Sequence, residues 1–571
     1  MEDIDKKKHI FSLFILIFLA FSIRFFFLQH ASFITPDGTQ YVTIAKNLIN
    51  KGEYKSDGSH FPDIIQPPLY PLILSVFIRL FDDLELLGRL VSAIFGSLLI
   101  IPFFHLSQRI FNKKVAYIGS TLIVFYPALI QSSIDALTES TYIFFVYSSI
   151  LIGWIALERC SWKYFFLTGI IFGLSYLTRI EGISYLLAFF FFSAIFSIFR
   201  NRSLNGLFAT TFVLSGFIIC IIPYQFYVEK KLGTPFLIPK LRLINIHKAI
   251  SRDLRMAGSF KDLPMRVYFG LTEDSSELLP NHLFFKDSNI MKKVATGTDK
   301  RQYTSRRSPY TFYKVILFNL KKTYKDIYLS GMILSPGLII FLVIGFFNDF
   351  WVYPHWSKNL YLFILFLTGQ VFMLSHVEER FIFPSIPIII IWIAIGVLKA
   401  DDWLLKTIDS YHSLRLNDIG RRFIIALFLT ISVLPFTYNV FQYNSKQDDP
   451  LKIIGHWMRE NINHSSTILA SNPQSAFYGR MRYLTLPYAG YREVLKYAWI
   501  NCADYLLLYK DLDMESRPLL EPLMMDGNTD PALRLLKKME TPKGGGIYLY
   551  EIITKGDCIE KTVKRNFISS S

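Results

Sequence analysis

Residues 10–29 read IFSLFILIFLAFSIRFFFLQ, and residues 34–41 read ITPDGTQY. The first run has about the twenty apolar residues that a helix needs to cross a bilayer. Lys6, Lys7 and Lys8 precede it, and no small-x-small cleavage site follows cleanly. It therefore reads as an uncleaved first span and not as a signal peptide. The second run holds strong turn chemistry, Pro36-Asp37-Gly38, just beyond that span. A helical stretch follows from Val42 to Ile49 and ends near Lys51-Gly52. A membrane span followed at once by a structured polar loop sets the terms for the rest of the chain.

The composition agrees. Of 571 residues, 52% are hydrophobic and 16% aromatic, only 19% are charged, and mean hydropathy is +0.33. Soluble proteins carry about 25% charged residues. The balance argues against a soluble enzyme, a disordered chain and a nucleic-acid-binding module. The net charge of +16 fits cytoplasmic loops and lipid headgroups. Four Cys in so long a chain make no disulfide framework.

Further candidate spans fall at 85–108, 115–133, 137–157, 163–179, 183–199, 207–228, 329–347, 359–375, 381–398 and 423–443, making about eleven with the first. With the N-terminus inside, the inner loops hold Arg109, Lys113, Lys114, Arg159, Lys163, Arg200, Arg202, Lys358, Lys399, Lys406, Arg415, Arg421 and Arg422. The short outer loops are acidic or nearly neutral, as the positive-inside rule requires. An odd number of spans leaves the C-terminal segment outside. The expected organisation is a membrane domain over 1–443, with outer loops 30–84 and 229–328, and an extracytoplasmic α/β domain over 444–571. In the latter, Leu451 to Asn461 has helical spacing, while Thr467–Ala470, Tyr505–Leu508 and Ile547–Tyr550 read as strands.

Several charged residues sit at the expected outer face. Asp37 has two readings. It caps the helix behind it, or it is a carboxylate held at the membrane face to take a proton from an acceptor hydroxyl. Asp135 and Glu139, spaced i, i+4, are expected on one helix face at the mouth of the fourth span. The alternative for both is simple solvation at the interface. Arg179 and Glu181, in Leu177-Thr178-Arg179-Ile180-Glu181-Gly182, are either a local ion pair or part of a site. Arg380 opens the tenth span. Its guanidinium suits a phosphate oxygen, and its alternative is headgroup snorkelling. Gln66-Pro67-Pro68-Leu69-Tyr70-Pro71 leads into Leu72–Phe81, too short to span and expected along the interface. His376 beside Glu378 and Glu379 is a weak metal signal without a partner cluster, and no metal site is assigned.

These stretches carry a resemblance. The chain resembles the group of dolichyl-phosphate-mannose–protein mannosyltransferases and lipid A aminoarabinose transferases, membrane glycosyltransferases of the GT-C fold. The likeness rests on Thr35-Pro36-Asp37-Gly38-Thr39-Gln40-Tyr41, Pro67-Pro68-Leu69-Tyr70-Pro71, Leu137-Thr138-Glu139-Ser140, Tyr176–Gly182 and Arg380-Phe381. It runs as an ordered series over about residues 10–400. It implies a polytopic α-helical membrane protein with a small outer α/β domain in the plasma or inner membrane. It implies transfer of a sugar, hexose or pentose, from a polyprenyl-phosphate donor to a lipid, glycan or protein acceptor on the extracytoplasmic face. Asp37 is then the catalytic carboxylate and Glu139 a second acid near it. Arg380 meets the lipid phosphate, with Arg179, Glu181, Tyr41 and His376 as substrate-binding candidates. Metal use varies in the group, and a divalent metal is not assignable. Two positions depart from the pattern. Phe381 stands where Tyr is usual, and Asp37-Gly38 stands where the protein mannosyltransferases have Asp-Glu. The competing class is a transporter or lipid flippase. It is disfavoured by the elaborate first outer loop and by the lack of inverted-repeat symmetry.

Overall fold

The computed structural model describes residues 2–31, 33–58, 63–199, 203–233, 269–272, 274–279, 309–328, 334–347, 356–374, 377–410, 424–433, 449–525, 531–542 and 544–553, with a few single positions between them. The chain forms two compact units, each assembled from three segments. The first gathers 1–32, 67–224 and 305–447, and the second 33–66, 225–304 and 448–571.

The first unit is helical. Its helices are α1 (Glu2–Gln29), α3 (Leu69–Phe77), α4 (Leu84–Leu98), α5 (Ile100–Ile110), α6 (Lys113–Phe125), α7 (Pro127–Ile134), α8 (Glu139–Arg159), α9 (Trp162–Thr178), α10 (Gly182–Phe199) and most of α11 (Ser203–Leu232). Later helices run over Pro309–Lys322, Pro336–Phe346, Trp356–Val371, Ile386–Ser410 and Ile424–Val433. Among the described residues, five helices are long and apolar enough to cross a membrane: Lys7–Gln29, Leu84–Ile110, Glu139–Arg159, Thr210–Leu232 and Phe383–Lys406. The pair α6–α7, bent by 53°, is a sixth if counted as one. The other expected spans coincide with helices that are shorter among the described residues, such as α9 with 17 residues and Pro336–Phe346 with 11. The protein is a multi-pass membrane protein.

Helices in lipid associate by close packing, and glycine allows the closest approach. A Cβ on Gly169 would lie 2.0 Å from Val213 O, and one on Gly216 2.1 Å from Phe166 O, so α9 and α11 touch backbone to backbone. Gly345 and Gly396 do the same for Pro336–Phe346 and Ile386–Ser410, at 1.7 Å and 1.9 Å from Trp392 O and Phe341 O.

The bend between α6 and α7 has a specific cause. Pro127 has no N–H, so the carbonyl of Ile123, four residues earlier, loses its helical donor. Arg24 of α1, fully buried, donates from Nη2 to Ile123 O at 3.4 Å and from Nη1 to Ala20 O at 3.2 Å. A charged residue inside a span is costly and is kept for a reason. Here it serves the orphaned carbonyl of a broken helix. Arg89 of α4 does a similar job at the end of α1, donating to Leu28 O at 3.1 Å and Ala31 O at 3.0 Å. Its other nitrogen pairs with Glu85 at 2.5 Å.

The second unit holds α2 (Pro36–Lys51) and a five-stranded mixed sheet. The strands are β1 (Thr467–Ala470), β2 (Arg482–Thr485), β3 (Tyr505–Tyr509), β4 (Leu533–Glu540) and β5 (Gly546–Ile552), in the order β2-β1-β3-β5-β4. Pairs β1–β2 and β1–β3 are parallel, while β3–β5 and β4–β5 are antiparallel. Strand periodicity of two sends Leu506 and Leu508 to one core and Leu507 to the other. The second core is closed by Leu451, Ile454 and Met458 of the Pro450–Asn461 helix, capped by Asp449. The first takes in Leu271 and Leu278, which pair as a β-bridge in the middle segment of this unit. A small C-terminal mixed sheet is present, in a unit that also takes in residues 33–66 and 225–304.

Candidate functional site

In the second unit, α2 begins with Thr35 as its cap: Thr35 Oγ1 accepts from Gly38 N at 3.1 Å, and Pro36 takes the first helical position. This corrects the capping reading of Asp37. The cap is Thr35, and Asp37 lies half-buried in the first turn, where the helix dipole favours a negative charge. The helix stops at Gly52, whose φ of 66° is left-handed. Tyr41 is buried and its hydroxyl donates to Gln66 Oε1 at 3.2 Å, pinning the end of the loop. A cavity of about 40 Å³ opens beside α2. Thr39, Gln40 and Thr43 line one side, and Phe477, Met481 and Tyr483 the other.

In the first unit, the structure brings together Glu139, Arg179, Glu181 and Arg380. Helix α9 ends at Thr178, and Arg179 is extended. The chain turns at once into α10 because Gly182 fits against the last turn of α9, where a Cβ would meet Ser175 Oγ at 2.6 Å. Arg179 is thereby aimed at the start of α8. Its Nη1 meets Glu139 Oε1 at 2.6 Å and Thr138 Oγ1 at 3.4 Å, and its Nε lies 3.5 Å from Glu181 Oε2. All three charges are nearly buried. Glu139 opens α8, while Asp135 ends α7, with a turn between them. The two are not on one helix face as their spacing predicts. The turn is held by Ser92 Oγ donating to Leu137 O at 2.9 Å and by Ser133 and Ser140, hydroxyls 2.9 Å apart.

Arg380 lies in a short turn, Glu379–Phe381, ahead of the span from Phe383, and it pairs with Glu378. Its side chain is about one-third exposed, at 36% against 11% for Arg179. Phe381 receives both guanidiniums, Arg179 at 6.0 Å and Arg380 at 5.9 Å from its ring centre, within cation–π range. Tyr142, Tyr185, Gly369 and Pro384 complete a narrow cleft around Arg179, Glu181, Arg380 and Phe381, with room for about one water. His376 lies outside the described residues. Among the described residues, no three His, Cys, Asp or Glu gather as a metal site.

Sequence reasoning missed the two tyrosines. Among the described residues, Tyr142 Oη and Glu139 Oε2 are buried without a hydrogen-bond partner, which is costly and asks for an explanation. The available signal was spacing: Tyr142 is three residues beyond Glu139, on the same face of α8. The charge count also matters. Arg179 and Arg380 face Glu139, Glu181 and Glu378, so these five described side chains sum to one negative charge. Arg179 is committed to two buried carboxylates. The guanidinium of Arg380 lies at the rim, paired with a similarly accessible Glu378.

The fold is the GT-C fold, which the chain shares with the solved structures that follow. Residues 65–227 match the family described as dolichyl-phosphate-mannose-protein mannosyltransferase. Among solved structures, the chain is similar to the oligosaccharyltransferase AglB of Archaeoglobus fulgidus in complex with an inhibitory peptide and a dolichol-phosphate. Identity is 13% and TM-score 0.57, over 97% of this chain and 75% of that one. It is also similar to ArnT of Cupriavidus metallidurans bound to undecaprenyl phosphate, at 12% identity and TM-score 0.51, over 95% and 98% of the two chains. No curated protein sequence matches the chain.

Proposed function

We propose that the protein is a membrane glycosyltransferase. It moves a sugar from a polyprenyl-phosphate donor to an acceptor hydroxyl on a lipid, glycan or protein. The observation that carries the reading is the cleft in which the rim guanidinium of Arg380 stands beside a buried hydroxyl, Tyr142, unpaired among the described residues. A phosphodiester needs a cation and neutral donors of this kind. The fold shared with AglB and ArnT, structures that hold dolichol-phosphate and undecaprenyl phosphate, supports it.

The chemistry is one displacement. Asp37 takes the proton of the acceptor hydroxyl, and the acceptor oxygen attacks the anomeric carbon. The bond from that carbon to the phosphate oxygen breaks, and its electron pair goes to the lipid phosphate. Arg380 and the Tyr142 and Tyr185 hydroxyls stabilise the departing charge. Arg179 holds Glu139 and the mouth of α8 in place. A single displacement inverts the anomeric centre and needs no covalent sugar–enzyme intermediate.

The reaction is assigned to the extracytoplasmic face of the cell membrane. Cys502, in the second unit, is disulfide-bonded, whereas Cys160, in an expected inner loop, carries a thiol. Disulfides persist in oxidising compartments. A membrane-impermeant thiol reagent should therefore label a cysteine placed at Asp57 of sealed cells and spare one placed at Asn112.

The direct test is transfer of radiolabel in membranes from undecaprenyl-phosphate-linked mannose, glucose, galactose and aminoarabinose. One of these should label an extractable product, and transfer from none of them would end the proposal. Arg380→Lys keeps the charge but loses the planar fork, and should raise the apparent KM for donor without unfolding the protein. Tyr142→Phe should raise donor KM as well while leaving stability equal or higher, because it deletes an unsatisfied buried hydroxyl.

A further inference from the structure

The loop that carries Asp37 is tied at both ends to the C-terminal sheet unit. At its start, the backbone N–H of Ile34, three residues before Asp37, donates to Tyr478 Oη at 2.9 Å. Both residues are buried. At its far end, Gly58 O accepts from Thr485 N at 3.2 Å and from Thr485 Oγ1 at 2.5 Å. Thr485 ends β2, one edge strand of the sheet, so the loop occupies main-chain groups that an edge would otherwise leave open. Gly58 is required there. Its φ is +62°, and a Cβ would sit 1.8 Å from Tyr483 O. Between the two ends, Asn47 of α2 donates to Lys55 O at 2.7 Å and Asp57 Oδ1 at 3.2 Å. Tyr54 Oη donates to Gln66 O at 2.8 Å. The loop is a closed frame with α2 as one side.

We propose that Tyr478 is a positioning residue for Asp37: its hydroxyl, with the β2 edge holding the other end of the frame, fixes where the first turn of α2 presents its carboxylate. The inference rests on the reading of Asp37 as the base. It goes beyond that reading in giving the C-terminal unit a part in the rate of transfer. A general base displaced by a fraction of an ångström loses much of its efficiency, so a single tether can be read in kcat.

The test is a double-mutant cycle on the full-length protein in membranes, using whichever donor of the radiolabelled panel the wild type turns over. Tyr478→Phe removes only the hydroxyl. It should lower kcat about tenfold with donor KM unchanged, and it should lower the melting temperature somewhat because the buried Ile34 amide loses its acceptor. Hydrogen exchange at the Ile34 amide should rise. In an Asp37→Asn background, Tyr478→Phe should lower the residual rate no further, because there is no base left to position. Wild-type kcat for Tyr478→Phe would overturn the inference, as would an equal loss in both backgrounds, which marks a merely structural tie. Asp37→Asn alone at the wild-type rate overturns the base assignment itself and the inference with it, so the two failures are told apart by that single variant. If Tyr478→Phe does not accumulate, Thr485→Val loosens the other end of the frame and is read by the same cycle.

Discussion

Around Arg179, charged and polar side chains meet inside a helical bundle. Asp37, by contrast, rides on a helix whose tethers mostly end on main-chain groups. In the first region the partners are Glu139, Glu181 and Thr138. In the second they are the amide of Ile34 and the carbonyls of Lys55 and Gly58. Side-chain networks are specified by which ionisable residue stands where. Main-chain frames are specified by backbone conformation and by lack of space. The first should therefore be sensitive to changes of charge, and the second to changes of shape.

The largest effect expected is on rate. Asp37→Asn keeps size and leaves the Thr35 cap intact. It should lower transfer by about a hundredfold to ten-thousandfold, the usual cost of losing a general base. Expression and melting temperature should stay as in the wild type. Transfer at close to the wild-type rate would leave the enzyme assignment resting on the fold and the Arg380 cleft.

Arg179→Ala comes next, and on stability. It strands Glu139 and Glu181 without their cation in a site almost closed to water. Breaking one side of a buried ion pair costs about 3–5 kcal/mol. Thermal unfolding in detergent should show it, and Glu139→Gln should cost less because it removes a charge instead of orphaning one. An Arg179→Ala protein as stable as the wild type would mean that Arg179 is free to serve an incoming ligand.

Gly58→Ala asks the same of the other region without touching any charge. The left-handed backbone and the Tyr483 carbonyl leave no place for the methyl group. A loss of about 1–3 kcal/mol is expected from strain and overpacking. Gly52→Ala is the control, since it shares the left-handed φ but meets nothing within 4 Å. Equal losses at both glycines would show that conformation alone matters and that the β2 contact contributes nothing.

The smallest effect is a slope with pH. Burial pushes the Asp63 carboxyl up to about 6, against hydrogen bonds from Ser56 and the charge of Lys55, which act to lower it. A raised acid stabilises the fold in its protonated form. Its contribution is full below the ordinary carboxylate range and is lost as pH rises through about 6. The melting temperature should therefore fall between about pH 4 and 6, and Asp63→Asn should flatten that interval. An unchanged slope in the variant would assign the titration to another group.

How much of this was legible depended on which kind of region was being read. The Pro450–Asn461 helix and strands β1, β3 and β5 stand where apolar periodicity places them. Strand β2 escaped because it is four residues long and begins on an exposed Arg482. Strand β4, Leu-Arg-Leu-Leu-Lys-Lys-Met-Glu, is a charged edge strand with an irregularity between Leu535 and Lys537, and its alternation is spoiled there. Asp135 and Glu139 were read onto one helix because Asp-Ala-Leu-Thr contains no Gly or Pro to mark the end of α7. The pairing of Arg179 with Glu139, forty residues apart, leaves no local trace. Tyr142 and Tyr185 lie in apolar runs where a tyrosine passes for core. Arg24 was visible as a charge within the first span, but its bond to Ile123 O follows only from the position of Pro127.

The tie between Gly58 and Thr485 joins positions 427 residues apart. Ribosomes add about 5–20 residues each second, so the first outer loop waits roughly 20 to 90 seconds for the strand that completes it. During that interval the helices from α3 onward are being made. The frame around the candidate base thus stays unfinished until synthesis reaches the sheet. A chain cut short before β2 would have its candidate base and no edge to hold it, so truncated products released into the membrane would be silent toward lipid-linked sugars.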